Sequence, residues 1–350
     1  MRRERPSDVL RYFHNASAKS ALEDFLEARG SFDVAHLHIY YGRLTTAILE
    51  PLRERGIPIV QSVHDYKLAC PIHSMLRDGQ NCEDCVTGST LNLLRHRCKG
   101  SLASSAVIFG EYHASKLLGA VRKIDRFICV SEFQRSVFTR AGVPEAQLVT
   151  LHNFVDPQQL QPKAETRRDD YLLYFGRIER LKGVPTLIDV ARRTGVPLRI
   201  AGTGTWSDAM QAEIADLPNV EYLGFTSGEP LRQLVAQARA VIVPSECYDI
   251  CPMSVLEAKA VGTPVVGARI GGIPELIRDG EDGFLFESGD GEDLGRALEA
   301  LKSANIDELS FAARDDVTKR FSPAVHLAAL LDIYASVGAQ RDKSLSVRPD

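Results

Sequence analysis

The chain has 350 residues, 44% of them hydrophobic and 25% charged, with 42 basic against 46 acidic side chains and a net charge of −4. Those are ordinary globular proportions, and at roughly 150 residues per domain the length suits two domains. A nearly neutral chain has no general pull toward nucleic acid or acidic membranes, and no apolar run nears the ~20 residues that span a bilayer.

The first residues, MRRERPSDVLRYF, are charged and lack the apolar core of a secretory signal. Seven cysteines, four clustered and three scattered, are not the dense framework of a secreted disulfide-rich domain. The expected location is cytoplasmic, with no nucleic-acid partner.

FDVAHLHIY (32–40) reads as a strand, LTTAILEPLRERG (44–56) as a helix closed by Gly56, and IPIVQSV (57–63) as a buried strand. Strand, helix and strand on short joins predict a parallel sheet. DRFICVS (125–131) and QLVTLHN (147–153) continue it, making residues 1–160 one α/β domain. The polar stretch 161–170 suits a linker. A second series follows, with strands predicted at 171–176, 197–202, 219–225, 240–245 and 264–268. Helices are expected at 184–195, 229–238 and 253–262, then at 292–303 and 323–338, so the second domain covers 171–322. The strands are continuous apolar runs, as parallel strands covered on both faces should be. The last dozen residues, 339–350, read as a disordered tail.

Open α/β sheets bind ligands beyond the carboxyl ends of their strands, and that rule selects the candidate residues. VPSECYDICPMSVLEAKAVGTPVV (243–266) reads strand, loop, helix, strand, with Pro252 suited to the first helical position and Gly262 to the C-terminal cap. Asp249 in the loop and Glu257 on the helix could accept polyol hydroxyls; the plainer reading is a helix cap and a solvated carboxylate. Gly271-Gly272 before Pro274 could form an anion site at a helix start, or a simple turn. Arg177 and Lys182, around a turn closed by Gly183, could neutralise a diphosphate, or be solvated cations. AGTGTW (201–206) lacks the rest of a dinucleotide fingerprint and reads as a tight turn.

In the first domain, His64-Asp65 end a strand, and His64 could bind a sugar hydroxyl or sit on a backbone carbonyl. His36 and His38 alternate within a strand and read as structural. Cys70, Cys82, Cys85 and Cys98 form C-x11-C-x2-C-x12-C. That spacing could hold zinc or be a loop of reduced thiols; structural zinc sites more often show two C-x2-C knuckles, and no metal ligand is assigned from it. Basic residues from Arg95, Arg97 and Lys99 to Lys116, Arg122 and Lys123 could touch an anionic membrane surface, or form the solvated side of a core-facing helix.

Taken together, YFGRIERLKGVPTLIDVA, LRIAGTGT, NVEYLGFTSGEPL, the 243–266 run and GGIPELIRDGEDGFLF resemble family 4 of the retaining glycosyltransferases across about 120 residues. HDYKLACP, VSEF and HNFVD resemble the family's first domain and hinge. The resemblance implies a GT-B fold of two facing Rossmann-like domains, with the helix 323–338 packing back toward the first. It also implies transfer of a sugar from a UDP- or GDP-linked donor to a saccharide or lipid-linked acceptor, with retention. The setting would be bacterial polysaccharide or glycolipid synthesis, at the inner face of the membrane.

Arg177 and Lys182 would then stabilise the leaving diphosphate, and Glu257 would hold the ribose. Asp249, the first acid of the family's Glu-x7-Glu motif and here shorter by a methylene, would face the donor sugar, as would His64 from the other domain. Gly271 and Gly272 would offer N–H groups, and Phe225-Thr226 would line the base. Neither metal nor cofactor is implied. The family's first strand, glycine-rich loop and helix have no counterpart before Arg11, about 50 to 60 residues by the usual length of a βα unit. The alternative to an enzyme is a nucleotide-sugar-binding protein of the same fold. A nicotinamide oxidoreductase lacks its glycine motif here.

Overall fold

The computed structural model describes residues 12–161 and 168–338. The chain divides into two compact units, one reaching to Leu151 except for Asp78–Gln80 and taking up the chain again from Leu327, the other His152–His326 with Asp78–Gln80. The predicted tail 339–350 and most of the expected linker lie outside the described residues. The division itself falls before that linker: Val155 N–H donates to the Phe321 carbonyl at 3.0 Å, and the Gln161 amide reaches the Ala260 carbonyl at 3.0 Å. Residues 152–161 are thereby tied into the second unit.

The first unit opens with α1 (Ala16–Arg29), whose N-cap Asn15 accepts the Ala18 N–H. Next come β1 (Ala35–Leu37), α2 (Leu49–Glu54) and β2 (Ile59–Val63). A short hairpin of β3 (Leu76–Arg77) and β4 (Gln80–Asn81) leads to the one-turn α3 (Asn92–Arg95) and to α4 (Leu102–Leu117). β5 (Arg126–Cys129), α5 (Glu132–Arg140) and β6 (Leu148–Thr150) complete the series. The four strands β1-β2-β5-β6 lie side by side and parallel. All five residues of β2 are buried, which is why its sequence is apolar without alternation. β1 is shorter than the predicted 32–40. It is an edge strand paired only to β2, and Ile39 beyond it is exposed.

In the second unit, α6 (Pro157–Leu160) precedes β7 (Leu172–Phe175), and then come α7 (Val184–Thr194), β8 (Leu198–Ala201) and α8 (Ser207–Ile214). β9 (Val220–Gly224), α9 (Gly228–Gln237), β10 (Ala240–Val243), α10 (Met253–Ala260) and β11 (Val265–Ala268) follow. The series ends with α11 (Ile273–Leu276), β12 (Gly283–Phe286), α12 (Gly291–Ser303) and α13 (Ile306–Arg320). The parallel order is β12-β11-β10-β7-β8-β9. The chain builds β7, β8 and β9 outward, then crosses back to lay β10 on the other side of β7. α7 shows how the layers close: Val184, Leu187, Ile188, Val190 and Ala191 recur at helical spacing and are buried, and Gly195 at φ 70° ends the helix.

α14 (Pro323–Ser336) starts in the second unit and runs into the first, where Ile333, Leu330 and Tyr334 pack with Val60 and Ile128. Tyr334 Oη lies 2.6 Å from His36 Nδ1. The boundary residues of α10 shift by one from expectation. Pro252 is the N-cap rather than the first helical residue, and Gly262, at φ 79°, follows the C-cap Val261. Beneath that helix Lys259 is fully buried, with its ammonium on Asp282 (3.0 Å), Asp316 (2.6 Å) and the Leu276 carbonyl (2.6 Å).

Candidate active site

The order of the second sheet reverses between β7 and β10, and the crevice beyond such a reversal is where an open α/β sheet takes its ligand. There a cavity of about 310 Å³ is lined by Gly176, Arg177 and Lys182 after β7 and by Ser245, Asp249 and Glu257 after β10. Four of the residues selected from the sequence are thus brought together. A wider hollow of about 760 Å³ opens beside the N-termini of α7 and α12. Its cation Arg193 is paired with Asp189 at 3.2 Å, leaving it little attraction for an anion.

Two loops make the cavity, and glycine lets them meet. Gly183 stands at φ 72°, and a Cβ there would lie 1.7 Å from the Pro244 carbonyl oxygen. Only glycine permits that approach, and it sets Lys182 beside the β10 loop. The Lys182 ammonium pairs with Asp249 Oδ1, and the Ser245 hydroxyl donates to Asp249 Oδ2. Both carboxylate oxygens of Asp249 are therefore engaged within the protein. Arg177 is 69% exposed and lies 3.0 Å from Glu179, while its carbonyl accepts the Tyr174 hydroxyl at 2.6 Å. Glu257 is half-buried on α10 and has no hydrogen-bond partner among the described residues. Burial pushes its carboxyl above the ordinary range.

In the glycine pair, one N–H is already engaged. The Gly272 N–H donates to the Asp249 carbonyl at 2.7 Å and is not available to a ligand. Gly271 packs so tightly that a Cβ would stand 2.2 Å from the same oxygen. The helix that follows, α11, has four residues, too short to gather much dipole. The pair fixes the Asp249 loop. Phe225 and Thr226 lie outside the 310 Å³ cavity; Phe225 is 75% exposed, at the end of β9. The Gly202 N–H donates to the Gly224 carbonyl just before them, and a Cβ on Gly202 would meet the Gly176 carbonyl oxygen at 1.9 Å. The AGTGTW turn is thus wedged between the ends of β7 and β9.

His64 belongs to the first unit. Its Nε2 is 2.8 Å from His38 Nδ1, and the rings of His36, His38 and His64 stack in sequence. Burial, with His38 alongside, holds His64 below the usual histidine range. Next to it Asp65 accepts the Tyr41 hydroxyl at 2.5 Å and the Lys67 N–H at 2.9 Å, and meets His73 Nδ1 at 3.1 Å. Burial opposes the charge on Asp65, but those hydrogen bonds outweigh it and keep the carboxyl below its ordinary value. His73 and Tyr41 carried no signal of spacing. Ser245 did: it lies two residues beyond strand β10, so the strand-end rule alone could have selected it.

Models of two families match almost end to end, glycosyltransferase family 4 over residues 2–159 and the glycosyl transferases of group 1 over 169–303. The chain belongs to glycosyltransferase family 4. A D-inositol 3-phosphate glycosyltransferase of Catenulispora acidiphila is 29% identical over 79% of this chain and 65% of its own length. An uncharacterised glycosyltransferase of Methanocaldococcus jannaschii is 25% identical over 72% of this chain and 62% of its own. This family 4 chain therefore spans less than two thirds of those curated relatives. Among solved structures it is similar to Anabaena HepE in complex with UDP, at a TM-score of 0.67 and 18% identity, over 91% of this chain and 82% of that one. It is also similar to the lipopolysaccharide outer core galactosyltransferase WaaB, at 0.62 and 17%, over 92% and 80%. These likenesses show the GT-B fold. Among the described residues, no helix is long and apolar enough to cross a membrane.

Proposed function

We propose that this family 4 chain transfers a hexose from a nucleoside diphosphate to an acceptor hydroxyl, with retention and without a catalytic metal, in bacterial polysaccharide or glycolipid synthesis. The observation that carries the reading is Glu257, a half-buried carboxylate without a partner among the described residues, in one cavity with Arg177 and Lys182. A ribose diol donating to Glu257 supplies the hydrogen bonds its charge lacks. The diphosphate then falls toward Arg177 and Lys182, where negative charge grows as the glycosidic bond breaks. Asp249, tied to Lys182 and Ser245, positions the cation and leaves one edge of the loop toward the sugar. In a same-face transfer the acceptor oxygen bonds to the anomeric carbon as the diphosphate oxygen leaves, and the acceptor proton passes to that oxygen. No protein nucleophile is needed. Saccharide or lipid-linked alcohols are the acceptor class, with work at the inner membrane face.

Calorimetric titration with UDP, GDP, ADP and dTDP tests the donor half, with UDP first because HepE was solved with UDP-glucose. One saturable nucleotide is expected. A folded chain that binds none of them overturns the reading. Arg177→Ala should weaken the diphosphate about 10-fold and the nucleoside hardly at all, because an exposed, charge-assisted hydrogen bond is lost. Equal weakening of both would remove Arg177 from the diphosphate site.

A further inference from the structure

Between β2 and α4 the first unit runs from His64 to Ser101 with little regular structure: the two-residue strands β3 and β4 and the single turn of α3. Its buried apolar residues are few, chiefly Tyr66, Met75, Val86 and Leu93. Four non-glycine residues in it, His73, Met75, Asp78 and Arg97, hold positive φ, a conformation that side chains disfavour. A segment with so small a core and so much backbone strain holds its shape when something cross-links it.

Its four cysteines are gathered by the backbone around them. The Cys70 carbonyl accepts the His73 N–H at 2.9 Å, in a turn that runs on to Met75. The carbonyl of that same Met75 accepts the Cys82 N–H at 2.8 Å. Asp84, inside the Cys82–Cys85 knuckle, is held by α3: the Asn92 amide donates to its carbonyl at 2.9 Å, and His96 Nε2 lies 3.6 Å from its carboxylate. Cys98 follows His96 by two residues. None of the four is in a disulfide.

We propose that Cys70, Cys82, Cys85 and Cys98 bind a structural zinc ion as four thiolates, a site separate from the sugar-nucleotide cavity. Four sulfurs select a soft, tetrahedral ion over magnesium or calcium. Among the described residues no three His, Cys, Asp or Glu side chains already stand as a finished metal site. The ion draws the gathered thiols the remaining distance as it binds, which is how small metal-closed segments couple binding to folding. Four S–H bonds release their protons to solvent while four Zn–S bonds form, with no change of oxidation state. The closed centre carries two negative charges, which Arg97 and Lys99, flanking Cys98 in sequence, offset. The basic stretch noted in the sequence finds a use there other than a membrane.

The test uses the full chain, untagged and purified in reductant without chelator. Elemental analysis should find about one zinc per chain, released by an organomercurial. The double variant Cys82→Ser/Cys85→Ser should hold almost none, while Cys129→Ser keeps it. If the double variant fails to fold, cobalt reconstitution of the wild type decides: strong sulfur-to-cobalt charge transfer with intense tetrahedral bands supports four thiolates. A folded chain free of zinc, showing no such cobalt spectrum, overturns the proposal. So does a disulfide between any two of the four in the purified protein.

Discussion

Glu257 is a carboxylate that folding leaves underserved. Its carboxyl is raised by burial, so the folded chain binds a proton there that the unfolded chain has already released. Stability then falls as pH rises from the unfolded value through the folded one. Glu257→Gln is expected to melt higher than the wild type at pH 7 and to lose that advantage at pH 4, where both states are protonated. The same change should weaken UDP binding about 10-fold, since an amide offers one neutral acceptor in place of a charged pair. Thermal melts at the two pH values, with a titration at pH 7, check both. A variant that melts like the wild type throughout would show that the carboxylate is solvated, the plain reading its spacing also allowed. Spacing could place Glu257 on a helix after a strand. It could not show that no described residue hydrogen-bonds it.

At the scale of elements, two turns decide the cavity. Gly183→Ala puts a side chain into the Pro244 carbonyl at a positive φ, and the expected loss is at least about 3 kcal/mol. Whatever folds should also bind UDP more weakly, because Lys182 is carried on that turn. Chemical denaturation of the variant against the wild type measures the first effect; a loss under 1 kcal/mol would mean that the loops can part freely. The Gly271-Gly272 turn teaches a different lesson. In sequence it looks like a phosphate cradle, since two glycines precede a proline after a strand. Folded, the Gly272 N–H is spent on the Asp249 carbonyl, because the β10 and β11 loops are neighbours only once their strands are paired.

At the scale of the molecule, the last helix is shared by neither the order of the sequence nor its hydropathy. α14 follows directly on the second unit, yet Ile333 is buried against Val60 and Ile128 of the first. Removing residues 327–350 should cost the first unit about 3 kcal/mol or more in lost apolar burial. Hydrogen exchange should then rise in β2 and β5 while β7 and β10 stay protected. Equal loss of protection in both sheets would show that the two units unfold as one.

The sequence by itself determined the class of fold, the strands of both parallel sheets except β12, and the helices α2, α7, α9, α10, α12 and α14. Each of these is written locally: continuous apolar runs mark strands covered on both faces, and glycine and proline mark where they stop. The family was legible for the same reason, as a series of such local runs in order. What only the tertiary structure decided are pairings between distant positions. Lys182 and Asp249 are 67 residues apart and meet because β10 lies beside β7. The Cys82 N–H meets the Met75 carbonyl and the Asn92 amide meets the Asp84 carbonyl, contacts that no spacing rule names. A periodicity reports which face of an element is buried; the order of the strands decides what that face meets.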